Sequence, residues 1–274
     1  EIKEREVYKK IKKFLFLPQI IALTGLRRVG KTTLAFKIIQ DFIGRGFDAK
    51  NIVYFSFDEF KTIQIREIIG GYEELMQKNI GIEKHLLILD EIQKLDDWEN
   101  QLKSIYDLHK KNLKIIISGS ESLFIRKKIK ETLAGRIFEF RIEPLTFKEF
   151  LEFKNISFKP IGLYEKELAK HFDEFILTLG FPELAGIKDK EIIKKYIKEG
   201  IIEKIIYKDL PSIFKIKDTA IIESILSILL EDPGQLIEIS DLAKQLKISR
   251  QTTANYLSYL EDSFLLRKLY NYSN

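Results

Sequence analysis

The sequence predicts an α/β domain on a five-stranded parallel sheet, followed by an all-α region and a small terminal unit with its own pattern. Three observations carry this. Short apolar runs alternate with amphipathic stretches through residue 143. A Gly-containing loop sits between the first such run and the first long helical stretch. After Pro144 the strand signals vanish. Strand–helix alternation is the pattern of a parallel sheet covered on both faces, and right-handed crossovers make it doubly wound.

The elements follow in order. Residues 3–17 mix Lys and Glu with Val7, Tyr8, Ile11, Phe14 and Leu15 at helical spacing and end before Pro18. Gln19–Thr24 is a buried strand. Lys31–Ile43 sets Leu34, Ala35, Ile38, Ile39, Phe42 and Ile43 on one helical face, and Gly44 and Gly46 stop it. Further strands are expected at Asn51–Phe57, His85–Leu89, Lys114–Ser118 and Ile137–Ile142, with helices over 62–78 and 97–110. The expected domains are 1–143 for the sheet, 144–233 for the helical lid and 234–274 for the terminal unit.

Composition narrows the classes. The 274 residues are 45% hydrophobic and 32% charged, as expected of a globular chain of about two domains. There is no Cys, hence no disulfide framework and no thiolate metal site. His85, His109 and His171 show no ligand spacing. No apolar run approaches a membrane span, and the charged start has no signal-peptide h-region, so the cytoplasm is the expected compartment. The net charge of +5 and pI near 9.0 permit nucleic-acid contact without requiring it. The chain begins at Glu1 without Met, consistent with a fragment.

Gly25-Leu26-Arg27-Arg28-Val29-Gly30-Lys31-Thr32 has the phosphate-loop spacing, Gly, four residues, then Gly-Lys-Ser/Thr. Glycines let the backbone turn its N–H groups onto phosphate, and the following helix adds its positive end. Gly25, Arg28, Val29, Gly30, Lys31, Thr32 and Thr33 are the expected nucleotide contacts. Lys31 supplies a charge to the β- and γ-phosphates, and the Thr32 hydroxyl ligates Mg²⁺. Leu86–Leu89 then runs into Asp90-Glu91, with Asp90 expected in the Mg²⁺ shell and Glu91 as the base on the attacking water. Lys114–Ser120 ends in Ser118-Gly119-Ser120, and its end is expected beside Asp90-Glu91. Ser120 is preferred over Ser118 as the contact to the γ-phosphate or the water. No Asn-Lys-x-Asp guanine-reading motif occurs, which favours ATP over GTP.

Together these residues resemble the archaeal and bacterial AAA-like P-loop ATPases related to the STAND and AAA+ groups. The resemblance extends through Leu89-Asp90-Glu91-Ile92-Gln93, Ser118-Gly119-Ser120, Leu133-Ala134-Gly135-Arg136, Pro144-Leu145-Thr146-Phe147-Lys148-Glu149-Phe150 and Gly180-Phe181-Pro182-Glu183. It implies an ASCE-type P-loop sheet, a helical lid and a winged helix, with Mg²⁺-dependent hydrolysis of ATP. Longer members add a nuclease-like tail that this sequence does not reach, so nuclease activity is not carried over. The resemblance also suggests Arg136 as a sensor or finger at the nucleotide. The alternative is a surface arginine paired with Glu139 or Glu143. Arg27 and Arg28 either touch phosphate or face a partner subunit, which leaves oligomerisation open.

Residues 235–272 read as a helix-turn-helix. Ser240 is expected to cap the first helix and Ser249 the second, and Phe264–Tyr270 to form a wing strand. On one reading Arg250 and Gln251 enter the major groove of double-stranded DNA and Lys268 grips its backbone. On the other, the unit is a packing or protein-contact module, since Glu261 and Asp262 burden one end of the second helix. The two functional classes are thus a nucleotide-hydrolysing enzyme and a slow nucleotide-gated switch or DNA-binding regulator.

Overall fold

The computed structural model describes residues 3–269 apart from Glu59, Lys61, 120–130, 158–160, Lys215 and Lys217. It divides into two compact units, residues 1–186 and 187–274.

The first unit is built on strands β1 (Ile20–Thr24), β2 (Ile52–Ser56), β3 (His85–Asp90), β4 (Leu113–Gly119) and β5 (Ile137–Arg141). All neighbours pair in parallel, in the order β2-β3-β4-β1-β5. The strand carrying the loop is therefore separated from β3 by β4. Around the sheet lie helices α1 (Glu6–Ile11), α2 (Lys31–Gly44), α3 (Ile65–Met76) and α4 (Trp98–His109). Alternation along each strand divides the side chains between two faces. Ile20, Ala22, Leu87, Leu89, Ile115 and Ile117 join Ile65 and Ile69 of α3 and Trp98, Leu102 and Ile105 of α4 in one buried cluster. Each fully buried Ile or Leu contributes about 1.5–3 kcal/mol. The opposite face, carrying Ile21, Leu23, Ile88 and Ile116, meets α2. Tyr54, Asp90 and Ser118 share its parity, because Tyr54 pairs with Ile88 and Ser56 with Asp90.

After β5, Thr146 opens helix α5 (Phe147–Phe153) with a capping box. Its hydroxyl accepts from the Glu149 N–H at 3.2 Å, and its own N–H donates to Glu149 Oε2 at 2.9 Å. Helix α6 (Glu165–Thr178) leads to Gly180, at φ 69°. A Cβ there would lie 2.6 Å from the Leu145 carbonyl oxygen, so only glycine allows this approach.

The described residues of the second unit are helical or irregular. Asp189 caps α7 (Lys190–Ile197), which runs through two π-helical turns (Lys198–Ile202 and Ile205–Asp209) into α8 (Leu210–Ile213). Helix α9 (Thr219–Glu231) is followed by the pair α10 (Ile239–Leu246) and α11 (Arg250–Asp262). The expected helix-turn-helix pair is present, with two corrections. Ser240 does not cap α10: Glu238 holds the N-cap position, and its carbonyl receives the Leu242 N–H at 3.1 Å. Residues 264–269 form no wing strand. Phe264 adopts φ 63°, and the N–H groups of Leu265 and Leu266 turn back to the Leu260 carbonyl at 3.0 and 3.1 Å. The backbone donors that a ladder would need thus close the end of α11. Ser249 does cap α11, accepting from the Thr252 N–H.

Candidate phosphate-binding and hydrolysis site

The loop begins where β1 ends. Gly25 has φ 145°, and a Cβ on it would stand 2.2 Å from the Ile142 carbonyl oxygen, just past β5. Thr24 in turn accepts the Ile142 N–H at 2.6 Å. The end of β5 therefore presses directly on the loop, and glycine is the residue that fits. Arg28 (φ 64°) and Gly30 (φ 96°) are left-handed, the kind of backbone that turns successive N–H groups towards an anion. Gly30 is the N-cap of α2, and Val29 is fully buried. Thr33 is exposed in the helix's first turn.

Lys31 is 6% exposed, and its Nζ donates to the carbonyls of Gly25 (3.0 Å) and Leu26 (2.8 Å). The ammonium thus lies inside the loop it belongs to. Thr32 Oγ1 donates to Asp90 Oδ2 at 2.7 Å, joining the helix start to the end of β3. Asp90 is 3% exposed, and three hydroxyls donate to it: Thr32, Tyr54 at 2.9 Å, and Ser118 on Oδ1. Burial, then the charge of Asp90, pushes the Tyr54 hydroxyl well above the ordinary tyrosine range and keeps it a donor.

Glu91 follows in a left-handed conformation (φ 54°), which costs a non-glycine residue on the order of 1 kcal/mol. Its N–H meets Ser118 Oγ at 3.3 Å, and its Oε2 accepts from Gln93 Nε2 at 2.7 Å. The residue pair at the strand end is therefore held by β4 on one side and by the following turn on the other.

The loop is also braced from outside. Arg5, at the N-cap of α1, donates to the Val29 carbonyl at 3.0 Å and to the Glu143 carbonyl at 2.8 Å. Its Nε pairs with Glu149 Oε1 at 2.9 Å. Burial alone would raise the Glu149 carboxyl. The Arg5 guanidinium and the N–H groups of Thr146 and Glu6 outweigh it and hold the group below the ordinary glutamate range. Arg28 reaches Glu183 at 3.3 Å across an exposed pair, a contact worth little by itself.

Several expected residues are brought together here: Gly25, Gly30, Lys31, Thr32, Asp90 and Glu91. Ser120, expected to contact the γ-phosphate or the water, lies outside the described residues; Ser118 instead donates to Asp90 and accepts from the Glu91 N–H. Tyr54, Arg5 and Glu149 were not anticipated as site residues. The alternation that puts Asp90 on the α2 face also marks Tyr54. The remote pair has no comparable sequence signal. Arg136 requires a correction as a finger within its own chain. It precedes β5, its carbonyl receives the Ile20 N–H at 2.8 Å, and its guanidinium forks onto Asp107 at 3.0 and 3.3 Å. It stands at the amino edge of the sheet, and the loop at the carboxyl edge. The partner is Asp107, not Glu139 or Glu143. Arg250 and Gln251 are exposed at the start of α11, where Gln251 donates to Asn255, and Lys268 pairs with Glu261 at 2.8 Å.

The comparisons bear on the family and the fold. Residues 17–151 match the profile described as "AAA domain". That stretch, which is similar to AAA domains, contains the phosphate-type loop and all five strands of the sheet. Beyond this AAA-like core, residues 169–274 match a "Domain of unknown function (DUF8612)". An uncharacterized protein of Methanocaldococcus jannaschii is 35% identical over 263 residues, covering 93% of this chain and 57% of that one. An uncharacterized protein of Haemophilus influenzae is 29% identical over 260 residues, covering 92% and 62%. The chain thus spans less than two thirds of these relatives' lengths. A Walker-type ATPase of Pyrococcus abyssi has a similar fold, with TM-score 0.58 and 16% identity, covering 96% of this chain and 90% of that one.

The residues fit a nucleotide with Mg²⁺. The AAA-like core has a loop whose Gly25 leaves no room for a Cβ, a buried lysine in that loop and a hydroxyl–carboxylate pair at its rim. Among the described residues no group of three or more His, Asp or Glu could hold a metal. Mg²⁺ binds through one or two protein oxygens together with phosphates, and Thr32 and Asp90 offer two such oxygens. No helix among the described residues is long and apolar enough to cross a membrane.

Proposed function

We propose that this chain binds ATP with Mg²⁺ at the carboxyl edge of its sheet and hydrolyses it. The observation that carries the reading is the meeting of Thr32 Oγ1 and Asp90 Oδ2 at 2.7 Å beside the buried Lys31. The loop N–H groups and the start of α2 receive phosphate oxygens. Lys31 exchanges its loop carbonyls for those oxygens, since a charged acceptor binds an ammonium more strongly than a neutral one. Thr32 and Asp90 would hold the Mg²⁺ that accompanies the nucleotide. Mg²⁺, when bound, offsets the charge on the transferred phosphoryl group. Glu91 orients the attacking water and takes its proton, and Ser118 fixes both acids from β4. In this reading hydrolysis moves the second unit, whose α10–α11 pair has the helix-turn-helix form.

A second reading rests on the exposed Arg250 and Gln251 at the start of α11. There the protein is a nucleotide-gated DNA-binding regulator with slow turnover. Two variants test the first reading. Lys31→Ala should abolish tight ATP binding in a titration. Glu91→Gln should retain ATP but stop turnover, because the amide keeps the shape and loses the base. Full ATP affinity in Lys31→Ala would refute the site. Wild-type turnover in Glu91→Gln would move the base elsewhere. ATPase rates with and without duplex DNA, beside gel shifts at two salt concentrations, separate the two readings.

A further inference from the structure

Tyr54 belongs neither to the phosphate loop nor to the acidic strand end, yet its hydroxyl donates to the same Asp90 oxygen as Thr32. Its place follows from the sheet. Tyr54 lies opposite Ile88, two residues before Ser56, which lies opposite Asp90, so its ring stands on the α2 face. There Phe36 of α2 packs against it, with ring centroids 5.0 Å apart. A rigid strand and a helix thus fix the phenol on two sides.

The three hydroxyls on Asp90 are not equivalent. On the reading above, Thr32 turns its oxygen to the cation and so alters its bond to Asp90 when nucleotide arrives. Ser118 is shared with the Glu91 N–H. Tyr54 touches neither the loop nor Glu91 through any such bond, and it can hold Asp90 while the others change. A buried carboxylate that is to hold a cation must keep its orientation when one of its donors leaves. Groups behind a metal ligand typically change metal affinity by roughly 10–100-fold when removed.

We propose that Tyr54 is a positioning residue for Asp90, fixing the carboxylate so that it can receive the divalent cation that accompanies the nucleotide. The proposal rests on the P-loop reading of the site. Tyr54→Phe removes the hydroxyl and keeps the ring. The affinity of fluorescent ADP is measured first in EDTA and then across a Mg²⁺ titration, with thermal unfolding alongside. The expected result is unchanged affinity in EDTA and a rise of about tenfold in the Mg²⁺ concentration needed for half of the metal-dependent gain. A purely structural tyrosine would lower both affinities together or neither, and either result overturns the proposal. A wild-type affinity indifferent to Mg²⁺ would overturn the underlying site reading as well. A normal Mg²⁺ response in the wild type and an identical one in Tyr54→Phe would remove Tyr54 alone. If Tyr54→Phe unfolds at the assay temperature, Phe36→Ala loosens the same ring from an exposed position. It should raise the Mg²⁺ requirement in the same direction, and no shift would again overturn the proposal.

Discussion

Replacing Glu149 with Gln should destabilise the first unit and loosen a loop with which Glu149 has no direct hydrogen bond. The carboxylate has both oxygens filled by donors. Oε1 accepts from Arg5 Nε (2.9 Å) and the Glu6 N–H (2.8 Å). Oε2 accepts from the Thr146 N–H (2.9 Å) and Arg5 Nη2 (3.4 Å). An amide places an NH₂ against N–H donors whichever way it is turned, and leaves Arg5 buried without its counter-charge. Breaking a buried pair from one side costs about 3–5 kcal/mol. Arg5 keeps the carbonyls of Val29, Glu143 and Pro144, which favours the lower end of that range. For a unit of this size 3 kcal/mol corresponds to a fall in Tm of about 6–12 °C. Calorimetry at pH 7 reads it directly. The pH dependence has a fixed sign. The folded carboxyl titrates below its unfolded value, so its contribution is full above the ordinary glutamate pKa of about 4.3 and is lost as pH falls below it. Wild type should therefore lose stability on acidification through that window, and Glu149→Gln should lose less. A variant melting within about 2 °C of wild type, with the same acid slope, would refute the account of this pair.

Two further outcomes are expected. Gly25→Ala should abolish nucleotide binding, because its Cβ would stand 2.2 Å from the Ile142 oxygen; an affinity within threefold of wild type in a titration would contradict the cradle. Burial pushes the Lys114 pKa down to about 7, even though its ammonium donates to the carbonyls of Phe14, Leu17 and Gln19. The unfolded chain then binds more protons between pH 7 and 10. Wild type should gain stability over that range relative to Lys114→Met, and parallel pH profiles in denaturant titrations would count against the lowered pKa.

The sheet was legible because its signals are local. Five apolar runs with intervening helical faces gave all five strands to within a few residues, and the phosphate loop followed from one spacing. Asp90 and Glu91 were legible because they terminate a strand. What escaped the sequence was contact between distant segments. Arg5 and Glu149 are 144 positions apart and meet only once β5 lies beside β1. Arg136 is a different case: it directly precedes the expected strand Ile137–Ile142, so chain order in a parallel sheet already puts it at the amino edge, and the finger role came from the resemblance alone. That no wing strand forms at 264–269 was not legible, because the apolar composition of Phe264–Leu266 cannot reveal that the N–H groups of these three residues are used to end a helix.

These contacts explain why nine loop residues do not suffice to make the site. A phosphate loop must hold left-handed backbone at Arg28 and Gly30 and keep a lysine buried, none of which a short peptide does unaided. Here Ile142 presses on Gly25, Arg5 holds the Val29 carbonyl, and Glu149 holds Arg5. Glu149 is fixed in turn by the Thr146 capping box, and Leu145 beside it pairs with Gly180 through the Gly180 carbonyl at 2.7 Å. Gly180 begins the turn that brings Glu183 to Arg28, which returns the chain of contacts to the loop. The segments at 144–150 and 180–183 contribute no group to phosphate chemistry in this arrangement. Their part is to fix the backbone that does. A substitution at Glu149 or Gly180 should therefore first weaken affinity for the phosphates that the loop holds. A substitution at Glu91 should leave affinity intact and slow the step that follows.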